Sequence, residues 1–105
     1  MIRGDICYHT FKPPDKRRPV LVLTRSEVIP DLNAISIAPI TSTLRENGAT
    51  VWLDESDGMK NTCLINLDRI TTVPKTALGN VIAHLSEEKM EGVLEAIKFA
   101  FGFED

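Results

Sequence analysis

The sequence predicts a mainly β fold finished by one C-terminal helix, and three observations carry the prediction. Short apolar and aromatic runs recur between turn residues from residue 4 to residue 73, the pattern of a small barrel or sandwich. Within PVLVLT (19–24) four branched aliphatics stand side by side, which suits a strand covered on both faces. After Ser86 the apolar residues change to helical spacing, so the last segment differs in kind.

GDICYHTF (4–11) reads as the first strand, and KPPDKR (12–17), broken by Pro13-Pro14, as a loop. Strand two is PVLVLT, with Pro19 at its first position, where a missing N–H costs little. The polar-leaning SEVIPDLN (26–33) leads to strand three, AISIAPITS (34–42), in which Pro39 marks a bulge, an edge or the strand's end. LRENGA (44–49) is a turn whose Asn47-Gly48 centre is a strong hairpin signal. TVWL (50–53) and TCLINLDRITTV (62–73) supply further strands, separated by a turn through Asp57-Gly58.

Ser86 is a good N-cap for the closing helix, and Glu87 and Glu88 follow in the turn where the helix dipole favours acids. Gly102 can end it as the C′ residue. Met90, Val93, Leu94, Ile97 and Phe101 form an apolar stripe expected to face the core. Gly92, Ala96, Phe99 and Phe103 form a second line on roughly the opposite side. A surface helix of a monomer does not need two such faces, so the second line is expected to meet a partner subunit, with a covering loop as the alternative.

A chain of 105 residues makes one domain, 1–105, with a core large enough to need no staples. No apolar run approaches the ~20 residues that cross a bilayer. MIRGDI carries no apolar leader, so secretion is not expected. Cys7 and Cys63 lie in apolar runs without metal-type spacing to His9 or His84. They read as reduced, buried thiols of a cytoplasmic protein.

The formal net charge of −3 argues against a nucleic-acid partner, but its distribution argues for one. Residues 1–25 hold Arg3, Lys12, Lys16, Arg17, Arg18 and Arg25 against Asp5 and Asp15, a balance of +4. Residues 86–105 balance at −4. A polyanion feels the local patch within a Debye length of roughly 8 Å rather than the total. The densest cations, Lys16 to Arg18, stand at the mouth of the buried strand, and Pro19 restricts the backbone of Arg18.

The chain has no glycine-rich phosphate loop, zinc-type spacing or nucleophile elbow, so no metal and no cofactor are expected. Arginines, hydroxyls and a few acids remain, an inventory that suffices for cutting RNA. RNA carries its own nucleophile, the 2′-OH, so cleavage mainly needs in-line positioning and stabilisation of charge on phosphorus. Arg18 can supply that charge, with a hydroxyl from Thr41 to Thr43 completing the cradle; these residues do not choose between Thr41 and Thr43. No proton acceptor stands out, and His9 is one candidate.

RGDI (3–6), RRPVLVL (17–23), IAPITS (37–42), the run C-x-I-N-L-D-R-I-T-T-V from Cys63, and LS-x-x-x-M-x-x-V-x-x-A-I (85–97) follow one another over nearly the whole chain. In order and spacing they resemble the MazF/PemK endoribonuclease toxins. That resemblance implies a small SH3-like barrel of the CcdB/MazF/PemK type, a homodimer, and a MazE-like antitoxin as inhibitor. It also implies metal-free cleavage of single-stranded mRNA at short sequences, leaving 2′,3′-cyclic phosphate and 5′-OH ends. The arginine before the proline, Arg18, and the threonine closing P-I-T, Thr41, take the catalytic places. Lys12, Lys16, Arg17, Thr43 and Arg69 are expected to position RNA. The KPPDKR loop is shorter than usual and lacks the common Gly-Ser-Glu stretch; the usual Gln-Ile-Arg is Arg69-Ile70-Thr71 here. Two rivals share the fold. A CcdB-like gyrase poison would end in a Trp-Gly-Ile type tail, whereas this chain ends FGFED. A non-catalytic SH3-like binding module would need an exposed aromatic groove, and aromatics are 6% of the chain.

Overall fold

A computed structural model of the protein describes residues 1–103; the last two positions of the expected 1–105 domain lie outside the described residues. Seven strands form one sheet: β1 (Asp5–Thr10), β2 (Arg17–Val22), β3 (Ala34–Thr41), β4 (Thr50–Leu53), β5 (Cys63–Asn66), β6 (Thr71–Pro74) and β7 (Leu78–His84). One helix, α1 (Glu87–Phe101), follows. The strand order is β4-β5-β3-β2-β1-β7, with β6 also on β3, and every pairing is antiparallel. This is the expected mainly β architecture with its C-terminal helix.

The PVLVLT run is a two-faced strand. Leu21 packs with Ile6, Ala38 and Ile40 beneath the helix, while Val20 and Val22 pack with Cys7, Ile35 and Ile37 on the other side. Side chains alternate between faces along a strand, so β1, β2 and β3 each feed both cores. Cys7 and Cys63 fall in different cores, both free and buried. Burial pushes both thiols up from their ordinary pKa.

Strand β3 is shared by three neighbours. Residues Ala34 to Ile37 pair with β6, Ile37 to Pro39 with β2, and Ile40 and Thr41 with β5. The 62–73 run is therefore two strands rather than one. A 3₁₀ turn at Leu67–Arg69 separates them, capped where the Asn66 side chain accepts from the Asp68 N–H at 3.0 Å.

The Asn47-Gly48 hairpin is corrected by the topology. β3 and β4 do not pair, because β5 lies between them. The turn is instead an Asx type, with the Ala49 N–H donating to Asn47 Oδ1 at 2.7 Å. Gly48 has no positive φ; its lack of a side chain makes room. A Cβ there would lie 2.7 Å from three atoms of the Phe99 ring. The turn through Asp57-Gly58 does join paired strands, β4 and β5, and Gly58 sits at φ 90°.

Helix α1 is capped as read: the Lys89 N–H donates to Ser86 Oγ, and Gly102 closes the end at φ 75°. Its core face is not as read. Ala96, placed on the partner-facing line, is 4% exposed and packs in the chain's own core beside Val93, while Leu94 (52%) and Phe101 (56%), placed on the core stripe, are exposed. Met90, Ile97 and Ala100 pack against the same core. At ~100° per residue, the buried arc falls midway between the two apolar lines. Gly92 and Phe99 edge it on one side, Leu94 and Phe101 on the other. Phe103 follows the helix and is exposed. None of the described helices is long and apolar enough to cross a membrane.

Candidate active site

Where β2 and β3 leave the core, their register sets the site. The ladder Val22↔Ile37, Leu21↔Ala38, Val20↔Pro39, extended by two residues, brings Arg18 level with Thr41. Two surface cavities meet at this pair. One, of about 610 Å³, is lined by Arg18 and Thr41 together with Lys16, Arg17, Tyr8 and Met59. The other, of about 680 Å³, is lined by Arg18 and Thr41 with Thr43, Arg45, Arg69 and Asn66. Arg18 and Thr41 thus form the wall common to both.

The first cavity has an aromatic floor already covered by charge. Arg17 lies over the Tyr8 ring, 3.9 Å from its centroid, a cation–π contact that presents a flat guanidinium to whatever enters. The second is richer in cations and hydroxyls. Its Thr43 N–H donates to Thr41 Oγ1 at 3.1 Å, which uses an acceptor site of that hydroxyl and leaves its O–H free to donate. This asymmetry separates the two threonines physically: Thr41 is held by the backbone and stands beside Arg18.

Arg18 is half-buried and partly engaged. Its Nη2 donates to Asp15 Oδ1 within the 12–17 loop, and the same oxygen accepts from the Lys16 N–H at 2.8 Å. These bonds hold the Asp15 carboxyl below its usual range, the Arg18 hydrogen bond contributing most. Arg18 Nε is buried without a hydrogen-bond partner among the described residues.

Of the residues expected to position RNA, Lys16 and Arg17 line the first cavity and Thr43 and Arg69 the second; Lys12 lines neither. Arg69 reaches the site because the 3₁₀ turn between β5 and β6 places it there. His9 pairs with Arg18 across the β1–β2 ladder, but its Nδ1 is 3.4 Å from the Ala77 carbonyl oxygen, its ring meets Phe11 edge-on, and it lines neither cavity. Sequence reading passed over Arg45, the cation of the second cavity that follows the threonine segment, and over Tyr8.

A profile of the family described as "PemK-like, MazF-like toxin of type II toxin-antitoxin system" matches residues 2–101. Endoribonuclease MazF3 of Mycobacterium tuberculosis is 38% identical over 87 residues, covering 83% of this chain and 84% of the relative. Among solved structures, Mycobacterium tuberculosis toxin MazF-mt6 superimposes with a TM-score of 0.88 at 34% identity, covering 96% of this chain and 99% of the other. An endoribonuclease solved with its cognate antitoxin, from a mycobacterial species, shares the fold at TM-score 0.87 and 20% identity, covering 100% and 98%. With the fold, the ordered motifs and the profile in agreement over almost its entire length, the chain belongs to the PemK-like, MazF-like toxins of type II toxin–antitoxin systems.

Proposed function

We propose that this MazF-type endoribonuclease cleaves single-stranded mRNA at short sequences without a metal ion. The 2′-OH attacks the adjacent phosphorus and leaves 2′,3′-cyclic phosphate and 5′-OH ends. The observation that carries this reading is that Arg18 and Thr41, at the ends of two paired strands, both line each of two open cavities. A strand of RNA crossing that wall presents one phosphate to both side chains. The Arg18 guanidinium stabilises the charge that grows on the phosphorane; a guanidinium is ineffective as a base. Thr41 donates a hydrogen bond to a phosphate oxygen. Arg17, Lys16, Thr43, Arg45 and Arg69 hold the flanking backbone, which fixes position and not sequence. Because the nucleophile belongs to the substrate, the mechanism requires no metal-activated water.

The experiment is direct. Long single-stranded RNA incubated with the protein in EDTA is expected to yield discrete fragments, each with a cyclic phosphate and a 5′-OH. Fragments ending in 3′-OH and 5′-phosphate, or cleavage that stops in EDTA, overturn this chemistry.

The same family membership supports a MazE-like antitoxin as inhibitor, with toxin, antitoxin and mRNA meeting in the cytoplasm, and residues 1–105 acting as one toxin domain. A homodimer through α1 is the reading that best accounts for Leu94, Phe99, Phe101 and Phe103, large apolar residues left exposed at its margins and end. A two-fold contact uses each patch twice, so one substitution acts twice. Phe99→Glu and Leu94→Glu, made separately, are expected to leave circular dichroism unchanged. The one nearer the two-fold axis should shift sedimentation toward monomer at micromolar concentration. A dimer unmoved by both substitutions removes α1 from the interface.

A further inference from the structure

Among the described residues, the acid that pairs with Arg18 is Asp15 of the 12–17 loop, and RNA cleavage by Arg18 and Thr41 gives that acid no role. A guanidinium takes an oxyanion through two N–H groups on one edge. Nε and Nη2 form such an edge. In Arg18, Nη2 is held by a single oxygen of Asp15 while Nε is buried with no acceptor among the described residues. The edge is half occupied, by an anion, in a way that a phosphate with two oxygens would complete.

Building on the assignment of Arg18 to the scissile phosphate, we propose that Asp15 is a resident competitor. Its carboxylate sits on the edge that receives the phosphate, and RNA binds by displacing it. The loop is built to hold the acid there. Asp15 N–H donates to the Lys12 carbonyl at 3.0 Å, the Phe11 N–H donates to the Lys16 carbonyl at 3.3 Å, and Asp15 Oδ1 accepts from Lys16 N–H as well as from Arg18. The carboxyl stays ionised at neutral pH, so the competitor is always present. It is also displaceable, because the loop is exposed and contributes nothing to either core. The pairing keeps the guanidinium partly neutralised until a polyanion with several further contacts arrives. Asp15 thus sets how readily the site accepts RNA.

Asp15→Asn keeps the shape and removes the charge. With wild-type cleavage mapped, a fluorescent RNA carrying one 2′-deoxyribose at the cut serves as an uncleavable probe. Asp15→Asn is expected to bind it about twofold to fivefold more tightly, the scale of one exposed charge pair. It should lower KM for cleavable RNA by a similar factor, with kcat within about twofold. In an Arg18→Ala background the same substitution should leave binding unchanged, since the edge in dispute is gone. Equal tightening with and without Arg18 means simple loss of repulsion and overturns the proposal. So does unchanged binding, or a fall in kcat of tenfold or more, which would make Asp15 a support or proton acceptor. The underlying assignment fails separately: Arg18→Ala that cuts RNA normally removes Arg18, whereas an inactive Arg18→Ala with an inert Asp15→Asn removes only the competitor.

Discussion

Replacing Arg18 with alanine is expected to slow RNA cleavage by about 10²-fold or more while the chain stays folded. That is the scale for removing one preorganised donor from a developing oxyanion. The fold should survive because β2 is anchored by Val20, Leu21 and Val22 in two cores, and Arg18 stands before all three. Its ion-pair partner among the described residues is Asp15 on an exposed loop, a class of contact that adds little to stability. Single-turnover rates, read beside circular dichroism and a urea titration, decide the matter. Cleavage within a few-fold of wild type would take Arg18 out of the chemistry. An unfolded variant would make the loss uninformative, and Arg18→Lys would then serve, since a point charge cannot reproduce the fork.

The other large effect lies in the substrate. An all-DNA oligonucleotide of the cleaved sequence should bind and survive, because it lacks the 2′-OH that attacks phosphorus. Restoring one ribose immediately 5′ to the scissile phosphate should restore cutting at that bond alone. Binding persists in both cases because the cations of the two cavities meet the phosphate backbone, which DNA shares. A nuclease that activates water has no chemical need for the 2′-OH and can cut an all-DNA strand. Cleavage of it at a comparable rate therefore excludes the proposed mechanism, whichever residues perform it.

The sequence disclosed the parts of this molecule that local chemistry decides. A run of branched aliphatics has one comfortable environment, and PVLVLT occupies it. Ser86 and Gly102 satisfy orphan backbone groups at the helix ends, so their identities announce the ends. Arg18 was legible because a cation at the mouth of a buried strand needs a reason. Long-range decisions were hidden. Strand β7, absent from the sequence reading, has the poor strand formers Gly79 and Asn80 near its start and keeps Val81 and Ile82 exposed. Pairing with β1 creates it, through a ladder with two register shifts.

The errors share a cause. Asn47-Gly48 has the composition of a tight hairpin, yet its glycine answers a steric demand from Phe99, half a chain away. On α1, large side chains drew attention to two stripes, but the buried arc lies between them, on Val93 and Ala96. Period counting weights a residue as small as alanine least. At the site, the Arg18–Asp15 contact was present in the sequence only as two letters three apart, with no indication that they face each other.

Because β2 is gripped on both sides, the chain ahead of it is mechanically decoupled from the chain within it. Sliding β2 by one residue would exchange the contents of the two cores, so the position of Arg18 is locked by everything that follows it. Nothing comparable locks residues 12–16. Changes in the length or composition of that segment are expected to leave the backbone of Arg18 in place, because β2 is fixed by the two cores. If Asp15 competes for Arg18 as proposed, exchanging this surface loop is expected to change how readily the site engages RNA, while the placement of the arginine stays with the interior.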